Sequence, residues 1–180
     1  MPNTIHALYP ISGNPPSWGH ADVMERSARI FDKVTWALAV NPDKKYLFTA
    51  AQRMDMMGEY IRHFGLNNVT VAEYQGATVR FAQRIGASVI VKGVRNPLDL
   101  QTEMEQAQGN HNIDPAVETV ALFTSPRYSV INSTLIRELA LLGEDIEPYV
   151  IAPVAQKVRE ILRAQGVGDT ARGIAGTPRR

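Results

Sequence analysis

The chain has 180 residues, of which 44% are hydrophobic and 21% charged, with a formal net charge of +1 and no cysteine. This balance is typical of one globular domain with a sizeable core, and it disfavours a disordered chain or a nucleic-acid binder. The lack of cysteine excludes disulfides, thiolate metal ligands and cysteine nucleophiles. No stretch reaches the roughly 18 apolar residues of a membrane span, and the N-terminal pattern is not that of a signal peptide. We therefore expect a cytoplasmic protein that binds neither nucleic acid nor membrane.

Short aliphatic segments alternate with amphipathic ones along the chain. Strands are predicted where the residues are aliphatic or β-branched and almost free of charge, at 6–11, 34–40, 69–73, 88–91 and 117–123. Helices are predicted from their amphipathic patterns at 20–31, 49–64, 78–85, 97–111, 133–142 and 152–164. Thr49 and the Asn132-Ser133 pair are the expected N-caps. This alternation predicts an α/β domain over 1–164 with a parallel sheet, followed by a disordered tail at 165–180.

The first loop after a predicted strand, SGNPPSWGH at 12–20, is a candidate anion site. Ligands of parallel sheets bind beyond the carboxyl ends of the strands, which is where this loop falls. Gly13 permits close backbone approach, and His20 stands at a helix start, where free N–H groups attract anions. A proline-stiffened turn with a capping histidine explains the loop equally well.

Three later loops fall at the same predicted edge of the sheet. NPDKK at 41–45 offers a lysine pair, and KGVRN at 92–96 places two cations around a glycine. SPRYSVINSTLIR at 125–137 presents hydroxyl and N–H donors at another helix start. Solvated lysines and ordinary capping explain each loop alone, but their convergence on one edge favours an anion site. The helix at 97–111 adds a polar stripe, which an exposed flank also explains: Glu103, Gln106 and Asn110.

Two of these segments resemble signatures of the nucleotidyltransferase superfamily. SWGH before a helix is similar to its [HT]xGH signature, and NSTLIR is similar to its ISSTxIR signature. The segments NPDKKYLF and VKGVRNPLDLQTEMEQAQGN closely resemble bacterial phosphopantetheine adenylyltransferases, and the resemblance runs from about residue 5 to about residue 163. It implies a Rossmann-like, doubly wound parallel sheet of five strands flanked by helices, typically in a homohexamer.

The resemblance also implies a reaction and a set of site residues. AMP would pass from ATP to 4′-phosphopantetheine, giving dephospho-coenzyme A and pyrophosphate in coenzyme A biosynthesis, with His20, Lys44 and Arg95 as catalytic residues. The residues implied at ATP are Ser12, Gly13, His20, Gly93, Val94, Arg95, Glu103, Tyr128, Ser129, Val130, Ile131, Asn132, Ser133 and Thr134. Those implied at the acceptor are Ser12, Lys44, Thr78, Lys92 and Asn110. Mg²⁺ would arrive mainly through the ATP phosphates, and no metal ligands are assigned to the protein itself.

The chain departs from the usual pattern of this family in its first loop. The family commonly reads GTFDPxTxGH where this chain reads ISGNPPSWGH, and Lys92 replaces an arginine whose bidentate fork a lysine lacks. Thr78 stands where larger apolar residues are usual. Asn14-Pro15-Pro16 is closer to some nicotinamide or nicotinate mononucleotide adenylyltransferases. Two alternatives therefore stay open: such a mononucleotide as the phosphorylated acceptor, or a non-catalytic nucleotide-binding module.

Overall fold

One parallel sheet forms the centre of the computed structural model, which describes residues 4–166. Within that range its five strands are β1 (His6–Ile11), β2 (Lys33–Ala39), β3 (Val69–Tyr74), β4 (Val89–Val94) and β5 (Glu118–Phe123). The same range contains six flanking helices: α1 (Trp18–Ile30), α2 (Ala50–Phe64), α3 (Thr78–Ile85), α4 (Pro97–Ile113), α5 (Ser133–Leu141) and α6 (Ala152–Ala164). The predicted doubly wound, Rossmann-like α/β fold is thereby confirmed.

The strand order β3-β2-β1-β4-β5 creates a switch point between β1 and β4. From β1 the chain winds outward through β2 to β3, then returns to place β4 on the other side of β1. Pairing between β1 and β4 joins Ala7 to Val89 and Leu8 to Ile90. Both strands then continue beyond these pairs, so a crevice opens at their carboxyl ends. Such crevices are the usual ligand sites of doubly wound sheets.

Apolar side chains cover both faces of the sheet because successive strand residues point to opposite sides. Leu8 and Ile90 pack with Phe81 of α3 on one face. Tyr9 and Trp36 pack on the other face, among side chains from α1, α2 and α6. The strands β1 and β2 are thus fixed from both sides, which gives the site at their ends a rigid support.

The predicted strand and helix bounds agree with the structure to within one or two residues, except at β4. This strand was predicted to end at Val91, but it continues to Val94 because Lys92 and Gly93 pair with Ala121 and Leu122 of β5. The predicted loop at 92–96 is therefore partly strand. The helix α1 begins at Trp18, two residues before its predicted start.

Two predicted helix caps are confirmed by their hydrogen bonds. The Thr49 side chain accepts from the N–H of Gln52 over 3.2 Å, and the Asn132 side chain accepts from the N–H of Leu135 over 2.9 Å. The predicted tail falls outside the described residues except for Gln165 and Gly166. None of the helices within 4–166 combines the length and the apolar character needed to cross a membrane.

Candidate active site

A cavity of about 410 Å³ lies in the crevice at the carboxyl ends of β1 and β4. Among the described residues that line it, one is acidic, Glu103, and five are basic: Lys44, Lys45, Lys92, Arg95 and Arg137. A concave surface with this excess of positive charge concentrates anions, and several cations around one space suit a polyphosphate. The geometry thus favours a phosphate-bearing ligand.

Arg53 of α2 holds the start of the first loop. It is 1% exposed, its Nη1 atom donates to the Ser12 carbonyl oxygen over 2.8 Å, and its guanidinium lies 3.9 Å from the centroid of the Tyr46 ring. Burial lowers the pKa of Arg53 from its ordinary value, but a guanidinium stays protonated in proteins. No carboxylate among the described residues pairs with it. Its charge therefore adds positive potential directly behind the loop.

The helix α5 holds the middle of the same loop from the other side. Arg137 Nη1 donates to the carbonyl oxygen of Asn14 over 2.6 Å. The Ser133 hydroxyl donates to the carbonyl oxygen of Pro15 over 2.8 Å. These contacts bring the N-terminus of α5 against the loop. Because the first N–H groups of a helix have no acceptor inside it, this end of α5 offers donors to an anion in the cavity.

His20 is held in one tautomer by the residue that caps α1. The backbone N–H of Ser17 donates to His20 Nδ1 over 3.2 Å, so Nδ1 is an acceptor and the neutral ring carries its proton on Nε2. Burial, with a smaller effect from the charge of Arg95, lowers the pKa of His20 from 6.5 to about 4. The ring is therefore neutral at physiological pH, with Nε2–H as its one donor, at the wall of the cavity.

Arg95 is oriented by two contacts on opposite sides of the guanidinium. Asp99, in the first turn of α4, accepts from Nε over 2.8 Å and from Nη2 over 3.2 Å. The Nη1 atom donates to the carbonyl oxygen of Ile131 over 3.3 Å. This bidentate pair fixes the plane of the guanidinium while the residue still lines the cavity.

Lys92 is anchored by the polar stripe of α4. Its Nζ atom lies 2.6 Å from Glu103 Oε2 and donates to Gln106 Oε1 over 2.7 Å. An ammonium has three N–H donors, so one is left for a ligand. Within the described chain, α4 buries none of its residues. The stripe is thus only partly exposed: its first two members contact Lys92, and its third member, Asn110, does not line the cavity.

Contacts with α1 fix the loop that leads into α5. The Asp22 carboxylate accepts from the Ser125 N–H over 2.9 Å and from the Ser125 hydroxyl over 2.6 Å. Further along, the rings of Tyr128 and Trp18 stack 6.1 Å apart. Residues of α1 therefore fix the position of this loop before the chain reaches the N-terminus of α5.

The cavity brings together eleven of the residues that the sequence implied. They are Ser12, His20, Lys44, Lys92, Gly93, Arg95, Glu103, Ile131, Asn132, Ser133 and Thr134. Thr78 lines a neighbouring cavity of about 320 Å³, where its hydroxyl is 2.8 Å from the Tyr74 hydroxyl. Six others line neither cavity: Gly13, Val94, Asn110, Tyr128, Ser129 and Val130. Their functional roles all stay predictions.

Several lining residues were missed by sequence reasoning. Arg137 had a signal, since it closes the NSTLIR run, and Lys45 had one as the second lysine of its pair. Tyr9 read as an ordinary residue of a buried strand. The other lining residues without a predicted role are Pro10, Ile11, Asn14, Ser17, Gly19, Tyr46 and Thr124. Arg53 lies outside the lining, and its contact with Ser12 likewise had no local signal.

A solved structure shares this architecture. A Vibrio parahaemolyticus protein, provisionally assigned as a nicotinate-nucleotide adenylyltransferase, matches with a TM-score of 0.67, covering 92% of this chain and 95% of that chain. Its sequence is 23% identical, so the likeness concerns the fold alone.

Sequence comparison identifies the family. The profile described as cytidylyltransferase-like matches residues 12–139. A protein of Synechococcus sp. (strain JA-3-3Ab) named phosphopantetheine adenylyltransferase is 42% identical over 86% of this chain and 96% of its own. A second protein named phosphopantetheine adenylyltransferase, from Heliobacterium modesticaldum, is 37% identical over 94% of this chain and 96% of its own. Identity at this level along nearly the whole of each relative means that the chain belongs to the phosphopantetheine adenylyltransferase family.

Proposed function

We propose that this protein is a nucleotidyltransferase that moves AMP from ATP to 4′-phosphopantetheine, forming dephospho-coenzyme A and pyrophosphate in coenzyme A biosynthesis. The observation that carries the proposal is the cavity itself. It combines a neutral His20 with basic side chains from three separate segments, at the switch point of the sheet. The names of the relatives point to the acceptor.

The proposed step is one displacement at the α-phosphorus of ATP. An oxygen of the acceptor phosphate forms a bond to the α-phosphorus, and the bond from that phosphorus to the bridging oxygen breaks. Pyrophosphate leaves with the electron pair. The attacking oxygen is already anionic, so no side chain has to remove a proton. Positioning and stabilisation of charge supply the catalysis, which suits a site rich in cations and N–H donors.

Four side chains of the cavity have a proposed part in this step. His20 Nε2–H donates to a non-bridging oxygen of the α-phosphate as charge develops there. Arg95, held in its plane by Asp99, and Lys44, on an exposed loop, neutralise the phosphate chain. Lys92 holds the acceptor phosphate through its remaining N–H. The remaining nucleotide contacts are assigned to Ser12, Gly13, Gly93, Val94, Glu103, and residues 128–134.

The neighbouring cavity is the proposed place for the pantetheine arm. It lies at the carboxyl ends of β2 and β3, and its lining includes Thr78, Tyr74 and Asn41. The hydroxyl pair of Tyr74 and Thr78 makes its wall more polar than the apolar residues usual in the family. Asn110, on α4, is assigned to the same arm. Both assignments depend on the acceptor being phosphopantetheine.

Mg²⁺ is proposed to enter with ATP, held mainly by phosphate oxygens. Among residues 4–166, no three His, Cys, Asp or Glu side chains are grouped so that they could hold a metal ion. When bound through the phosphates, the ion neutralises charge on the nucleotide. Lys44 and Arg95 then share the rest of that task.

A second acceptor, nicotinate mononucleotide, is favoured by the Asn14-Pro15-Pro16 run. The structure weakens this argument, because the Asn14 side chain accepts from the backbone N–H of Phe48 over 3.2 Å. That contact gives the amide a role in loop packing that is independent of the acceptor. Phosphopantetheine is therefore the better-supported acceptor.

Pyrophosphate release with ATP and each acceptor in turn tests these alternatives. We expect turnover with 4′-phosphopantetheine and little with nicotinate or nicotinamide mononucleotide. The reverse preference would replace the acceptor while keeping adenylyl transfer. Release with none of them, alongside measurable ATP binding, would instead make the protein a non-catalytic nucleotide-binding module.

We also propose a cytoplasmic homohexamer that has small molecules rather than nucleic acid as its partners. Four large apolar side chains on α4, β5 and the following loop are exposed in the single chain: Leu98, Met104, Phe123 and Val130. Exposed apolar groups this large are typical of contact surfaces. Light scattering coupled to gel filtration measures the assembly, and a monomer at micromolar concentration would contradict the proposal.

A further inference from the structure

Tyr9, a buried residue of β1, brings a phenol hydroxyl to the cavity. The residue is 4% exposed, lies in β1 and lines the cavity. Its ring stacks parallel to Trp36 with the centroids 6.5 Å apart, so the packing contacts belong to the ring. Among residues 4–166 the hydroxyl has no hydrogen-bond partner in the protein, unlike the Tyr60 and Tyr74 hydroxyls.

The missing side chain of Gly93 leaves the space beside this hydroxyl open. A Cβ atom at Gly93 would lie 3.4 Å from the Tyr9 hydroxyl oxygen and 3.1 Å from Val23 Cγ2. A larger residue there would therefore clash both with the hydroxyl and with Val23 of α1. Gly93 sits between Lys92 and Arg95, whose side chains also line the cavity. The hydroxyl thus opens onto the same cavity that these two cations line.

The Tyr9 hydroxyl is protonated and can donate a hydrogen bond. Burial raises the pKa of the phenol from its ordinary value of 10.0, so it stays protonated throughout the physiological range. A hydroxyl without a partner in the protein is stabilised by an acceptor, and the cations that line the same cavity attract anionic oxygen. A phosphate oxygen satisfies both conditions, whereas the apolar faces of an adenine ring satisfy neither.

We propose that the Tyr9 hydroxyl donates a hydrogen bond to a phosphate oxygen of the bound nucleotide, which makes Tyr9 a substrate-binding residue of this site. The inference rests on the proposed function, because it takes the phosphate chain of ATP as the ligand. Phenylalanine would preserve every contact of the ring, so the hydroxyl alone is what this role requires.

Equilibrium binding to Tyr9→Phe tests the inference without an acceptor. The probes are a non-hydrolysable ATP analogue and adenosine. We expect the analogue to bind about 10- to 100-fold more weakly, as for a lost hydrogen bond to a charged group. Adenosine binding and the melting temperature of the free protein should stay unchanged. Tyr149→Phe is the matched control, since this half-buried tyrosine loses a hydroxyl outside the cavity.

Each outcome separates the inference from the proposed function. Equal binding of the analogue by wild type and Tyr9→Phe would overturn the inference while adenylyl transfer still stood. An equal loss for adenosine would move the contact from phosphate to nucleoside and also overturn it. If Tyr9→Phe fails to fold, 3-fluorotyrosine at position 9 keeps the hydroxyl, and its ¹⁹F signal should shift with the analogue but not with adenosine. An unshifted signal with the analogue bound would contradict the inference.

Discussion

Arg53 Nη1 lies 2.8 Å from the carbonyl oxygen of Ser12, 41 residues earlier in the chain. The contact ties the first turn of α2 to the first loop of the cavity. On the far side of that loop, Arg137 reaches the carbonyl oxygen of Asn14. Two arginines from different helices therefore hold the backbone of one short loop, which keeps its donors and His20 in a fixed arrangement.

Replacing Arg53 by methionine should impair turnover more than it impairs binding. The variant keeps an unbranched buried side chain but loses both the hydrogen bond to the Ser12 carbonyl oxygen and the positive charge. We expect kcat to fall about 100-fold, as for a small misplacement of reacting groups. Steady-state kinetics measures this, and added guanidinium should restore part of the activity. A lowered melting temperature with unchanged kcat would show that Arg53 only stabilises the fold.

His20→Ala should lose turnover because a preorganised donor to the α-phosphate is removed. We expect kcat to fall about 10²- to 10³-fold with a smaller change in the KM for ATP. His111→Ala, at an exposed position near the end of α4, is the control and should behave as wild type. Unchanged kcat in His20→Ala would remove this residue from the catalytic set.

The pH dependence of His20 follows from its lowered pKa. The ring should stay neutral above the folded pKa of about 4, so its NMR signals should not titrate between about pH 5.5 and pH 8. The unfolded chain binds this proton near 6.5, and the folded one only near 4. His20 thus contributes stability that is fully present above pH 6.5 and is lost as the pH falls toward 4. The free energy of unfolding in urea should fall more steeply for wild type than for His20→Asn as the pH is lowered from 6.5 toward 4. A ring that titrates near pH 6.5 would contradict the assignment.

Lys92→Met should weaken the binding of the acceptor and leave the binding of ATP nearly unchanged. The variant removes the ammonium that lies against Glu103 and Gln106, and with it the N–H offered to the acceptor phosphate. We expect the KM for phosphopantetheine to rise about 10- to 100-fold, and the KM for ATP to change little. Lys33→Met, an exposed lysine at the opposite end of the sheet, provides the control. An equal rise in both KM values would place Lys92 at a shared phosphate position instead.

The sequence predicted most of the fold because buried parallel strands carry continuous aliphatic runs between amphipathic helices. It misplaced the end of β4, since Lys92 and Gly93 look like loop residues although they pair with β5. It also missed Tyr9 and Arg53. A tyrosine in a strand has the pattern of a core residue, and a helical arginine that of a surface residue. Their roles depend on contacts between distant segments, which local patterns do not contain.

The fate of a label on ATP distinguishes adenylyl transfer to phosphopantetheine from the alternatives. ATP labelled at the α-phosphate, incubated with 4′-phosphopantetheine and Mg²⁺, should place its label in dephospho-coenzyme A in equal amount to the pyrophosphate released. ATP labelled at the γ-phosphate should place its label in pyrophosphate only. Transfer of the γ-label to phosphopantetheine would contradict the proposed function. So would an unlabelled phosphopantetheine in a reaction where nicotinate mononucleotide gains the α-label.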